Sequence, residues 1–143
     1  ANGILRHSKI PANISKKIFH EAQAVTIKFA EKLNYVGTLN LEFMIDNEDN
    51  LFFNEYANRV HNGQWHSVNS YMHSQFCTHI RAVCGLEFIE NKKISNAEMF
   101  NIIGDEIEKF RDKKFKKNEF FFDYLKTETR PGRKMGHLTI LKD

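Results

Sequence analysis

Between residues 41 and 63 the chain reads LEFMIDNEDNLFFNEYANRVHNG. Two carboxylates, Glu42 and Glu55, sit on neighbouring runs of β type, and Arg59, His61 and Asn62 follow the second run in quick succession. If Asp46 pairs with Leu51 across the NEDN loop, Glu42 faces Glu55. Directly opposed residues of an antiparallel pair have Cβ atoms about 4.5–5.5 Å apart, where like charges are destabilising. A divalent cation relieves that repulsion, because hard cations such as magnesium take carboxylate oxygens and are often held by one or two carboxylates plus substrate phosphates. Arg59 adds a planar, permanently charged fork suited to phosphoryl or carboxylate oxygens, and His61 and Asn62 add donors beside it. A metal pair, an arginine and a polar loop together describe a phosphoryl-transfer site, where catalysis is mostly positioning and charge stabilisation. Spacing alone leaves open two solvated strand carboxylates eased by lysine neighbours, and a one-residue slip in register removes the pairing.

The elements that must position these groups are legible from periodicity. From Ile14 to Leu33, Ile14, Ile18, Ala22, Val25, Phe29 and Leu33 recur at steps of three and four, which predicts a helix with one buried face, capped by Asn13 or Ser15 and ended by NYVG. Leu39, Leu41, Phe43 and Ile45 alternate with polar residues and Met44 in a half-buried strand, and LFFNEYA is a second, so the two form an antiparallel hairpin. Residues 57–70 lack an apolar period and read as a loop that owes nothing to core burial. A helix over 73–84 buries Phe76, Ile80, Val83 and Cys84 and is stopped by Gly85. Beyond the polar ENKKISNAE stretch come a strand MFNII, a short charged helix GDEIEKFRDK, a strand EFFFDYLK, a tight TETRPGRK connection and a last strand MGHLTILK. The fold class is α+β, with a boundary after residue 92.

Composition restricts the function. The chain has 143 residues, 21 basic against 18 acidic, a formal +3 that suits a phosphate-bearing small molecule without demanding nucleic acid. It has no apolar run long enough to span a membrane and no signal-peptide core, so a cytoplasmic protein without membrane contact is expected. Cys77 and Cys84, seven apart on a helix, are about 10 Å apart by helical rise. That is too far for a disulfide, and both are expected to pack in the core. KKFKKNEFFFDY interleaves basic and aromatic residues as a single-stranded nucleic-acid site would, but its phenylalanines alternate too poorly with solvent positions to be free for stacking. The remaining histidines, His7, His20, His73, His79 and His137, have no metal-ligand spacing.

LEFMID…LFFNEYANRVHNG, then SQFCTHIRAVCGL, then YLKTETRPGRKMGHL resemble, in order and spacing, the C-terminal part of the N5-carboxyaminoimidazole ribonucleotide synthetase family of ATP-grasp enzymes. NExxxRVHN marks the ATP-grasp superfamily as a whole, whereas SQFxxHIRAxCGL joined to KxxxRPGRKxGHL is specific to this family; a sister ATP-grasp ligase acting on another amine need not carry the terminal motif.

The resemblance implies that residues 1–92 are the C-terminal portion of an ATP-grasp domain and 93–143 a small β-rich domain. It implies ATP-driven conversion of bicarbonate to carboxyphosphate and carboxylation of the exocyclic amine of aminoimidazole ribonucleotide, in a homodimer. Glu42 and Glu55 would hold magnesium or manganese bridging the ATP phosphates, with Asn54 beside them in the nucleotide site. Arg59 would stabilise the transferring phosphoryl group, and His61 with Asn62 would line the bicarbonate pocket. Lys126 and Arg133, with Arg130 and Lys134 close by, would hold the ribonucleotide phosphate. Asn58 stands where the family has proline and GQWHS where it has SGHWT, which puts Trp65 and His66 in altered register. Family members are more than twice this length, and the glycine-rich phosphate loop lies upstream in them. The 143 residues alone are therefore expected to bind adenine nucleotide weakly and to lack synthetase activity.

Overall fold

A computed structural model of the chain describes residues 3–142. In chain order it contains β1 (His7–Ile10), α1 (Lys16–Leu33), β2 (Asn40–Ile45), β3 (Leu51–Ala57), α2 (Ser67–Ser70), α3 (Gln75–Val83), β4 (Asn96–Ile103), α4 (Glu108–Arg111), β5 (Glu119–Asp123) and β6 (Lys134–Lys142), with short 3-10 turns before α2 and α4. The α+β expectation holds. The elements sort into two compact units that interleave along the chain. One gathers the residues through Pro11, Gly63–Ser74 and the chain from Asn91 onward; the other gathers Ala12–Asn62 and Gln75–Glu90.

The first unit is a four-stranded antiparallel sheet in the order β1-β4-β6-β5. Its core is Ile102, Ile107, Met135 and Leu138, with Phe110, Phe115, Phe121 and Ile140 packed against it. Phe121 stacks between Phe110 and Phe115, at centroid distances of 5.9 and 5.3 Å. Arg111 of α4 ties to Asp123 at the end of β5 at 2.8 Å, which holds the Asp123 carboxyl below its ordinary range. Arg6 grips Glu106 through both carboxylate oxygens, and Glu106 in turn accepts from the Ile103 amide at 3.0 Å. Residues 130–133 form a turn closed by Arg133 N–H donating to Arg130 O at 3.0 Å, with Pro131 second and Gly132 at φ +78° third, the sequence such a turn demands. β5 ends at Asp123, three residues earlier than EFFFDYLK suggests, because Leu125 takes a left-handed backbone (φ +53°) that breaks the strand.

The second unit is the β2–β3 ribbon with α1 and α3. Ser15 caps α1 by accepting from Ile18 N–H at 3.3 Å, and Asn34 ends it in a left-handed conformation. The ribbon turns through Asp46, whose Oδ1 accepts from the Glu48 and Asn50 amides at 2.9 Å each. Its register is not the one expected. Ile45, not Asp46, pairs with Leu51, and a bulge between Glu42 and Phe43 inserts Asn54 as the extra residue, which restores Glu42 opposite Glu55.

Burial in this unit is lighter than the periodicities imply. Ile14 of the expected stripe precedes α1 and is exposed; of the five within the helix only Ile18 is buried, while Val25 and Leu33 are exposed, because a two-stranded ribbon covers only part of the helix. Phe29 rests on the Tyr56 ring at 5.2 Å. On α3 the expected core residues Ile80 and Val83 are exposed, as are Cys77 and, just past the helix, Cys84, and the one buried residue of α3 is the polar Gln75. The expected core role for both cysteines is thereby corrected. Residues 57–70 are also more than a loop: His66, Ser67 and Ser70 are buried, and Trp65 packs at a tilt against Phe122, Tyr124 and His137, with centroids 5.6, 5.1 and 4.9 Å away.

Candidate functional site

The bulge of the β2–β3 ribbon brings Glu42 and Glu55 to one side of the ribbon, directly opposed. The chain beyond β3 returns His61 to the same place: its Nε2 lies 3.3 Å from Glu42 Oε1 and 3.5 Å from Glu55 Oε1. One ligand atom from each of the three falls within 4.8 Å of the others. The bulged Asn54 donates from Nδ2 to Glu42 Oε2 at 3.3 Å. This donor set fits a divalent cation: two hard anionic oxygens facing one point, an imidazole nitrogen beside them, and an amide fixing one carboxylate. Sequence spacing sets His61 apart from the carboxylates, whereas the fold closes the cluster with it.

Arg59 and Asn62 flank His61 without joining the cluster. The Arg59 guanidinium bonds the carbonyl of Val60 at 2.9 Å and stays exposed. Asn62 Nδ2 is buried without a hydrogen-bond partner, an orphaned donor of the kind that an oxygen ligand would satisfy. Two further residues, which sequence reasoning passed over, secure this stretch. Asn40, buried in β2, donates from Nδ2 to the Arg59 carbonyl at 3.0 Å. Gln75, the first residue of α3, accepts from His61 N–H at 2.7 Å and donates to His61 O at 2.8 Å. Nothing in the spacing marks them, since an amide reads as a solvated residue until its partner is placed.

The cations of the terminal motif lie in the sheet unit. Lys126 Nζ donates to Lys134 O at 2.6 Å and sits 5.5 Å from the centroid of the Tyr124 ring. Partial burial, then the nearby Arg133 and Lys134 charges, holds its ammonium below the ordinary lysine range. Cations that raise each other's energy are relieved by a bound anion. Arg133 donates to Glu128 O at 3.0 Å. Arg130 stands apart, exposed and paired with the Glu128 carboxylate at 2.7 Å.

Behind this group Tyr124 Oη lies 3.1 Å from His137 Nδ1. Burial lowers the His137 and His66 pKa values to about 4 and raises that of Tyr124. Unfolded histidine titrates near 6.5, so between about 6.5 and about 4 the unfolded chain binds more protons than the folded one. Stability carried by the neutral rings is complete above about 6.5 and falls as pH drops towards about 4, by at most about 1.4 kcal/mol per pH unit per histidine. Thermal denaturation should therefore give a lower Tm at pH 5 than at pH 7.5, and His137→Asn should flatten that slope; equal Tm values for the unsubstituted chain would refute the assignment.

Residues 1–76 match the family model of the ATP-grasp domain. The chain belongs to the ATP-grasp family. Beyond that ATP-grasp segment, residues 97–143 match the phosphoribosylaminoimidazole carboxylase C-terminal domain. The N5-carboxyaminoimidazole ribonucleotide synthase of Brucella melitensis is 42% identical over 142 residues, an alignment covering 99% of this chain and 39% of that protein. An ADP complex of N5-carboxyaminoimidazole ribonucleotide synthetase superposes with a TM-score of 0.93 at 35% identity, covering 100% of this chain and 38% of that one. The Aspergillus clavatus synthase in complex with ADP and 5-aminoimidazole ribonucleotide superposes with a TM-score of 0.90 at 27% identity, over 99% of this chain and 40% of that one. The chain thus spans about two fifths of the length of the ATP-grasp relatives it matches. Among the described residues no helix is long and apolar enough to cross a membrane.

Proposed function

We propose that this chain is the metal-binding and substrate-phosphate-binding part of an N5-carboxyaminoimidazole ribonucleotide synthetase, a cytoplasmic homodimeric ligase of purine biosynthesis. The γ-phosphoryl group of ATP passes to a bicarbonate oxygen, giving carboxyphosphate and ADP; the exocyclic amine of aminoimidazole ribonucleotide then takes the carboxyl group, and phosphate leaves. The observation that carries the reading is the Glu42–Glu55 pair closed by His61, in a chain whose residues 97–143 match the carboxylase C-terminal domain.

Glu42 and Glu55 would hold a divalent cation, magnesium or manganese, with Asn54 fixing Glu42 in the nucleotide site. When bound, that ion neutralises phosphate charge during transfer. Arg59 presents its guanidinium to the transferring phosphoryl oxygens. His61 and Asn62 line the bicarbonate side, where the orphaned Asn62 amide donates to an oxygen of the acceptor. Lys126 and Arg133, backed by Lys134, bind the ribonucleotide phosphate, and Arg130 contributes at longer range. In this reading residues 1–92 complete the ATP-grasp domain and 93–143 form the substrate-phosphate domain.

The test uses a full-length enzyme carrying this segment. ADP formation should require both bicarbonate and aminoimidazole ribonucleotide, and Lys126→Met should raise KM for the ribonucleotide about 10- to 100-fold, as expected for losing a charged hydrogen bond, with KM for ATP unchanged. ADP formation that ignores the ribonucleotide and responds to another amine would reassign the chain to a sister ligase.

A further inference from the structure

The stretch 59–61 carries two of the working side chains, and two buried amides hold its backbone from either side of Val60. Asn40 is 7% exposed and Gln75 4%. Asn40 Nδ2 donates to Arg59 O at 3.0 Å, while the Gln75 amide closes a two-bond ring on the backbone of His61, at 2.7 and 2.8 Å. Gln75 is itself anchored, because its carbonyl accepts from Thr38 Oγ1 at 3.2 Å and Thr38 N–H donates to His79 Nδ1 at 3.0 Å.

A primary amide offers the same donor and acceptor pair as a peptide unit, so Gln75 acts on His61 as an adjacent strand would. A loop residue acquires a fixed backbone without belonging to a sheet. The imidazole it carries is only 12% exposed and reaches both carboxylates.

We propose that Gln75 and Asn40 are positioning residues of the phosphoryl-transfer site: Gln75 fixes the backbone of His61 so that its ring meets Glu42 and Glu55, and Asn40 fixes the Arg59 carbonyl so that the Arg59 side chain departs from a set point. The proposal rests on the reading of His61 and Arg59 as working groups. It gives the SQF segment a role that composition and periodicity do not, with Gln75 buried and the apolar Ile80 and Val83 of the same helix exposed.

The decisive variants are Gln75→Met, which keeps size and removes both hydrogen bonds, and Gln75→Glu, which keeps the acceptor for His61 N–H but loses the donor to His61 O. In the full-length enzyme Gln75→Met should lower kcat on the order of 100-fold, as a misplacement near 1 Å does, with KM for the ribonucleotide within about two-fold. Asn40→Asp, which loses the donor to Arg59 O, should act in the same direction. Gln75→Glu should retain part of the activity and carries the same comparison if Gln75→Met does not fold. Combined with His61→Ala, either Gln75 variant should cost less than about two-fold more than His61→Ala alone, because residues acting as a unit are non-additive. Wild-type kcat in a folded Gln75→Met, or losses that multiply in the double variant, would overturn the proposal. Wild-type kcat in His61→Ala would instead remove the reading on which it rests, and the proposal with it.

Discussion

Changing Glu42 or Glu55 to Gln in a full-length enzyme should raise the magnesium or manganese concentration needed for nucleotide turnover by about 100-fold, while leaving the fold intact or slightly firmer. The two effects have opposite signs for one reason. The carboxylates face each other across the bulged ribbon, so each Gln removes a like-charge repulsion worth roughly 0.2–1 kcal/mol. The same change halves the anionic charge offered to a cation, and even outer partners of a metal ligand commonly cost 10- to 100-fold in affinity. Metal titration of turnover, read beside Tm in metal-free buffer, separates the cases. A purely structural pair predicts lower Tm and unchanged metal dependence, through loss of the His61 contacts at 3.3 and 3.5 Å. Wild-type metal dependence in either variant removes that residue from the site.

Gly136→Ala should be among the most damaging single changes available in the sheet unit. A Cβ at 136 would lie 2.5 Å from Phe122 O and 3.1 Å from Ile107 Cδ1. The first is backbone of the neighbouring strand, which cannot swing aside as a side-chain tip can. Gly136 pairs with Asp123 in register, and the next contact along is Tyr124 N–H to Met135 O at 2.9 Å. Relief therefore requires β5 to lift off β6, with the Tyr124 ring and the Lys126 ammonium displaced along with it. Overpacking of this kind costs about 3 kcal/mol, which for a chain of this size lowers Tm by about 10 °C. In the enzyme, KM for the ribonucleotide should rise alongside. An unchanged Tm would mean that the strands part at no cost.

How far the site was legible varies residue by residue. The facing of Glu42 and Glu55 follows from counting back from the turn, yet the count that leads there assumes the wrong closing pair. Ile45 pairs with Leu51, and the bulge at Asn54 makes up the difference. Two departures of one residue cancel, and no alternation of apolar and polar residues announces a bulge beside two charged groups. Nor does the spacing show that an imidazole nitrogen reaches both carboxylates. Helix limits were readable because caps and breakers are local: Ser15, Asn34 and Gly85 act within a turn of themselves. Burial was not, because it depends on what covers a face. Hence Ile80, Val83 and both cysteines read as core and are exposed, while Gln75 reads as surface and is the buried residue of α3.

The basic motif shows the same division. The Arg130–Arg133 turn is written in Pro131 and Gly132. The allotment of its cations is not: Arg130 spends itself on Glu128, and Lys126 is drawn to the Tyr124 ring and Lys134 O. The fate of GQWHS was equally hidden, because the partners of Trp65 arrive some sixty residues later, in β5, Tyr124 and β6.

The pairing of β1 with β4 sets an order of assembly. His7 meets Phe100 and Ile10 meets Ala97, so β1 must wait for about ninety further residues before β4 is there to pair with it, and β4 in turn closes on the later β6. The ribbon of β2 and β3 needs only its own short turn. During synthesis the carboxylate hairpin can form on the microsecond scale as it emerges, whereas the sheet must await its last strand and cross a larger loop-closure barrier. Among the described strands β1 thus stays longest without its neighbour in the sheet, the interval in which wrong pairing arises as a chain is made.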